Sequence, residues 1–153
     1  MRFRNLYLKP SSTAPHLLLL SMAITATFVL TTQCLSQSDS ASKIFVEITE
    51  PPHAGIGGSD VTEPIAGKVK GADYASYKIC IYAFAGGTWW VQPTTADPLT
   101  DIDKNGKWRT ITHLGSTYAA LLVKPTYKAP ATLNSVPKIG PDVVAVTIAA
   151  GRK

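Results

Sequence analysis

Beyond Ser42 no segment of this chain keeps a 3.6-residue hydrophobic period for three turns, while strand-length apolar runs recur between glycines and prolines. Ile44, Val46 and Ile48 alternate with Phe45, Glu47 and Thr49, and Ile65, Gly67 and Val69 alternate with Ala66, Lys68 and Lys70. A period of two turns one set toward a core and the other toward water. Tyr77–Ala85 is apolar on both parities, which predicts a central strand covered on both faces. Thr88–Gln92, Tyr118–Val123 and Val143–Ala149 are further β-rich runs, with Pro125, Pro130, Pro137 and Pro141 marking an irregular crossing before the last. About seven or eight short strands at this spacing predict an all-β fold: one antiparallel β-sandwich, Ig-like, over residues 43–153.

The first quarter of the chain is of a different kind. Leu17–Leu30 is an unbroken apolar run of about 14 residues, short of the roughly 20 that span a bilayer. Arg2, Arg4 and Lys9 precede it, and no acid appears before Asp39. This is the layout of an export signal, with the basic end held on the cytoplasmic side. Residues 1–35 are therefore expected to be a signal peptide or membrane anchor, and 36–42 a polar linker. Cleavage after Ser36 or Ser40, an uncleaved anchor, and a lipoprotein joined through Cys34 all remain open. Gln33 fits a lipobox poorly, because the peptidase wants a small residue there. The expected location is extracytoplasmic, with membrane contact only through an uncleaved N-terminal segment.

Charge and cysteine content exclude more than they suggest. Setting aside Arg2, Arg4, Lys9 and Asp39 from the 15 basic and 10 acidic residues leaves a balance of about +3. The remaining lysines read as scattered, without a basic stripe, so nucleic acid is not an expected partner. Cys80 is the one cysteine of the mature region and sits in an apolar run, where a small buried hydrophobe is its ordinary role.

Two turns can be read closely. Gly86-Gly87 between two β-rich runs is a hairpin signal. Over Asp101–Thr112, a three-residue loop Lys104-Asn105-Gly106 sets Asp103 against Lys107 and Ile102 against Trp108. A two-residue Asn105-Gly106 turn would set Lys104 against Lys107. The first register is favoured, with Gly106 in the left-handed conformation.

Several of these residues together resemble a known module. Gly67-x-Val69-x-Gly71, Tyr77, Tyr82, Trp89-Trp90-Val91-Gln92-Pro93-Thr94, Pro98-x-Thr100-x-Ile102 and Gly106-x-Trp108 are similar to an uncharacterised small β-sandwich of bacterial secreted proteins. That module sometimes sits beside glycoside hydrolases and other surface domains. The resemblance spans roughly Phe45–Val123 and implies the sandwich fold, with a faint suggestion of carbohydrate.

Few residues carry chemistry. Asp101-Ile102-Asp103-Lys104-Asn105-Gly106 matches the first half of a calcium loop, but Thr112 stands where the loop needs a bidentate carboxylate. A plain turn is expected, and no metal. His53 and His113 are far apart and read as loop polar residues. No serine elbow, Cys–His pair, paired-carboxylate pattern or phosphate loop is present, so the chain reads as non-catalytic and without a cofactor. Trp89 and Trp90 are adjacent on a strand and must face opposite ways. With Trp89 in the core, Trp90 becomes an outward indole beside Gln92 and Thr94, a flat apolar platform with polar neighbours suited to a sugar. Trp90, Gln92 and Tyr82 are the expected ligand-binding residues. The expected function is a non-catalytic exported module binding glycan or envelope polymer through the Trp hairpin. The alternative is a structural or protein-interaction domain with every aromatic in its core.

Overall fold

Among the described residues nine strands follow one another: β1 (Phe45–Glu50), β2 (Thr62–Lys70), β3 (Lys78–Ala85), β4 (Thr88–Gln92), β5 (Leu99–Thr100), β6 (Lys107–His113), β7 (Thr117–Val123), β8 (Thr132–Leu133) and β9 (Val143–Ala150). They come from a computed structural model that describes residues 43–58 and 60–153. The expected signal or anchor segment, Cys34 and the linker lie outside the described residues. The seven longer strands are the ones legible in the sequence; β5 and β8 are two-residue pieces. None of the described residues forms a helix long and apolar enough to cross a membrane.

Two antiparallel sheets make an all-β sandwich. The smaller runs β1-β2-β6, and the larger runs β8-β4-β3-β7-β9 with β5 also paired to β3. The period of two in β1 and β2 delivers Val46, Ile65 and Val69 to the space between the sheets, where Trp108 of β6 joins them. Ile79, Ile81, Ala83, Tyr118, Ala120 and Leu122 meet them from the larger sheet. The opposite parity of β3 and β7 (Cys80, Tyr82, Ala119, Leu121 and Val123) forms a second buried cluster with Val91. Tyr127, Ala129, Leu133 and Val136 of the Pro-containing crossing cover that cluster. Both faces of β3 are thus buried, as its unbroken apolar run predicts. Each fully buried Leu or Ile on either face contributes roughly 1.5–3 kcal/mol of transfer free energy.

The turns follow their residues. Gly86 and Gly87, at φ of 61° and 80°, close the β3–β4 hairpin directly from Ala85 to Thr88. Gly106 has φ 75°, and the Asp103 N–H donates to the Lys107 carbonyl at 2.8 Å. The loop therefore has the expected register, but the expected hairpin is only half present. Asp101-Ile102-Asp103 is not a strand, and β6 takes β2 as its ladder partner instead. Two contacts account for this: Ile102 packs against the inter-sheet core, and Asp101 is bound to Lys78 of β3.

Candidate functional site

Register decides what stands beside Trp90. In the β3–β4 ladder Ala83 pairs with Trp90, Ile81 with Gln92 and Tyr82 with Val91. Because Ala83 is small, the indole is not buried by its cross-strand neighbour, and Trp90 is 50% exposed. Its one donor, Nε1–H, is given to the Ala85 carbonyl at 3.2 Å. The ring is therefore held by its own hairpin, and its remaining contact surface is apolar. Trp89, on the other parity, packs against the second buried cluster and tilts onto Phe84, with ring centroids 5.1 Å apart.

Beside Trp90 lies a groove of about 480 Å³, lined by Ala83, Ala85, Gln92, Thr94, Thr95, His113, Leu114 and the Gly57-Gly58 segment. Its volume falls in the range of about 300–1,000 Å³ usual for small-ligand sites. No Asp, Glu, Lys or Arg is among the described residues that line it. The wall is apolar, and the polar groups are two threonine hydroxyls, an amide and an imidazole.

Gln92 has another task from the one expected. It is buried, at 4% exposure. Its Oε1 accepts the backbone N–H of His113 at 2.9 Å and also meets His113 Nδ1 at 2.9 Å. Its Nε2 donates to the Trp90 carbonyl at 3.3 Å. The amide is thus consumed in tying β4 to the end of β6. A backbone N–H can only donate, so the Gln92 atom facing it is the oxygen. It follows that Nδ1 of the neutral His113 ring carries the proton and Nε2 is left as an acceptor. Gln92 holds the groove together, and His113 lines it beside the two threonines.

Tyr82 is a correction. It lies on the face of β3 opposite Ala83 and Trp90, is fully buried, and donates its hydroxyl to the Pro130 carbonyl at 3.0 Å. Burial pushes its phenol pKa far up. Strand parity alone separates it from the groove.

The other sequence candidates do not converge. Asp101 is bound to Lys78, while Asp103 Oδ1 accepts the N–H groups of Asn105 at 2.7 Å and Lys107 at 2.9 Å. The backbone N–H of Lys107 in particular holds the Asp103 carboxyl below its ordinary pKa. The two aspartates of the calcium-like segment thus serve separate structural contacts. Among the described residues no three His, Cys, Asp or Glu side chains are grouped as metal ligands. Elsewhere, Glu63 accepts the His53 N–H at 2.9 Å, meets His53 Nδ1 at 3.0 Å and lies 3.7 Å from Arg152. The His53 backbone donor lowers the Glu63 pKa most, with the His53 ring and Arg152 adding to it. Tyr118, fully buried, donates its hydroxyl to the His53 carbonyl at 2.8 Å and accepts the Gly115 N–H at 3.0 Å. This clasp fastens the loop after β1 to the C-terminal end.

Sequence reasoning found Trp90 and Thr94 but missed His113, the alanine floor and Gly57-Gly58. His113 joins Gln92 across 21 residues, which no local spacing reveals. The single available signal was the small-residue alternation Ala83-x-Ala85 opposite a tryptophan. Comparison with protein-family models, with curated proteins and with solved structures found no match.

Proposed function

We propose that this chain is a non-catalytic, exported β-sandwich module that binds a neutral glycan in the groove beside Trp90. The observation that carries the reading is a half-exposed indole whose N–H is already used, standing over a groove with hydroxyl and imidazole groups and no charged residue in its described lining. Sugars present apolar C–H faces and many hydroxyls, and a fixed aromatic wall with a few hydrogen-bonding groups matches both. One imidazole, with no carboxylate in the described lining, supports binding rather than glycosidic cleavage, which takes two carboxyl groups. Export rests on the basic-then-apolar N-terminus, and the likeness to a secreted β-sandwich module belongs to the same proposal.

A second reading, a structural or protein-interaction domain at the cell surface, is favoured by the burial of Tyr82 and the internal use of Gln92. A glycan array and an envelope pull-down, run with the full chain and with Trp90→Ala, separate the two. Glycan signals that vanish in the variant support the groove. Protein capture unaffected by Trp90→Ala, with a blank array, supports the second reading.

A further inference from the structure

The lysines that look scattered in the sequence are gathered by the register of the smaller sheet. The outward parity of β2 carries Lys68 and Lys70, and that of β6 carries Lys107 and Arg109, all four exposed. Three rows cross this face. Phe45 stands opposite Lys70; Glu47 stands opposite Lys68, which stands opposite Lys107; and Glu50 and Arg109 flank Ala66.

These rows are not equally neutralised. Arg109 reaches Glu50 across Ala66 at 3.0 Å, whereas Lys70 sits over the uncharged Phe45 ring, 5.3 Å from its centre, and keeps its charge. Lys68 and Lys107 are direct cross-strand neighbours of like charge, an arrangement that costs stability. Neither ammonium makes an ion pair within 4 Å among the described residues, although Glu47 is the other neighbour of Lys68 and Asp103 lies near Lys107. Both lysines border a hollow of about 710 Å³ that Glu50, Asp101 and Asp103 also line, and each of these carboxylates is already engaged: Glu50 by Arg109, Asp101 by Lys78, and Asp103 by the Asn105 and Lys107 N–H groups.

We propose that this outer face binds an acidic polysaccharide, whose carboxylate or sulfate groups lie across Lys68 and Lys107. An anion placed there relieves the like-charge pair, which an uncharged ligand cannot do. Lys68 and Lys70 are two residues apart on one strand, about 6.6–6.8 Å, so a chain carrying repeated anions meets them in series. Nucleic acid suits the face less well. Its unstacked bases want free aromatic faces, and Phe45, the aromatic here, already has the Lys70 ammonium near its ring. The site is separate from the Trp90 groove and stands or falls independently of it.

The test uses the full chain and three probes: polygalacturonate, heparin and a single-stranded oligo(dT), each titrated over a salt series. Lys68→Gln/Lys107→Gln removes the pair. Lys128→Gln/Lys138→Gln, on the crossing over the other sheet, removes the same net charge elsewhere. The proposal expects wild type to bind both polysaccharides. The first double variant should bind both polysaccharides more weakly at low salt, with a shallower salt dependence because fewer counterions are released. The control pair and Trp90→Ala should bind as wild type does. Removing a like-charge pair should leave the melting temperature unchanged or raised, so unfolding cannot imitate the loss. Equal losses in the two double variants, no polysaccharide binding by wild type, or tighter binding of oligo(dT) would each overturn the proposal.

Discussion

The indole of Trp108 lies directly over Gly67, its partner across the β2–β6 ladder, so closely that only a hydrogen fits between them. A Cβ at Gly67 would stand 2.3 Å from Trp108 Cζ2 and 1.9 Å from the Glu47 carbonyl oxygen. One of those contacts is backbone, which cannot swing aside as a flexible side chain can. The glycine is what lets a tryptophan fill the centre of the inter-sheet core. Gly67→Ala should therefore cost about 3 kcal/mol or more, at the upper end for overpacking. Urea unfolding checks this; a change within about 0.5 kcal/mol would mean that the sheets separate easily at this point.

The loop before β6 makes a second test. Gly106 combines φ 75° with a Cβ position 2.6 Å from the Val69 carbonyl oxygen and 2.7 Å from Tyr74 Cζ. Gly106→Val should destabilise by about 2–3 kcal/mol, because the contacts add to the conformational penalty. Chelator should leave the wild-type melting temperature in place, since both aspartates of the segment already have protein partners. A fall of several degrees on adding chelator would show a bound cation instead.

Acid should weaken the fold through two named carboxylates. Glu63 and Asp103 both have folded pKa values below their ordinary ones, chiefly because backbone N–H groups donate to them. A group depressed on folding contributes stability that is complete above its unfolded pKa, near 4, and lost as pH falls through the lower folded value. Thermal melts from pH 7 to pH 2 should show an acid limb below about pH 4.5, shallower in Glu63→Gln. An unchanged limb in that variant would mean that the His53 clasp adds nothing.

Cys80 is fully buried, and desolvation pushes its thiol up to about 12. At pH 8 the folded protein should resist a thiolate-directed reagent over hours and react fully in guanidinium, because the thiolate is the nucleophile. Rapid labelling under native conditions would contradict the burial of β3 on both faces.

Parity was the part of this fold most legible beforehand. It put Val46, Ile65 and Val69 inward, made β3 two-sided, and turned Trp90 away from Trp89. Pairing was less legible, because partners are chosen by tertiary packing. Asp101–Asp103 reads as one arm of a hairpin, yet Ile102 is worth more in the core and β6 pairs with β2. Tyr82 was misplaced for want of the register that sets it against Val91. The same gap hid the basic face, since Lys68 and Lys107 become neighbours only when β2 and β6 align. The role of the crossing from 124 to 142 was hidden as well. Its prolines announce an irregular segment but do not say that Tyr127 and Leu133 cover a second core.

The proposed neutral-glycan site depends on the fixed indole of Trp90 as its wall. Calorimetric titration of the full chain with a neutral oligosaccharide selected on the array tests it most directly, in wild type, Trp90→Phe and Trp90→Ala. Wild type should bind saturably, Trp90→Phe should lose part of the affinity, and Trp90→Ala should lose tenfold or more, about 1.4 kcal/mol. All three proteins should melt within a few degrees of one another, because Trp90 is half-exposed. Binding by Trp90→Ala within about twofold of wild type, or no binding of any neutral oligosaccharide by wild type, would contradict it.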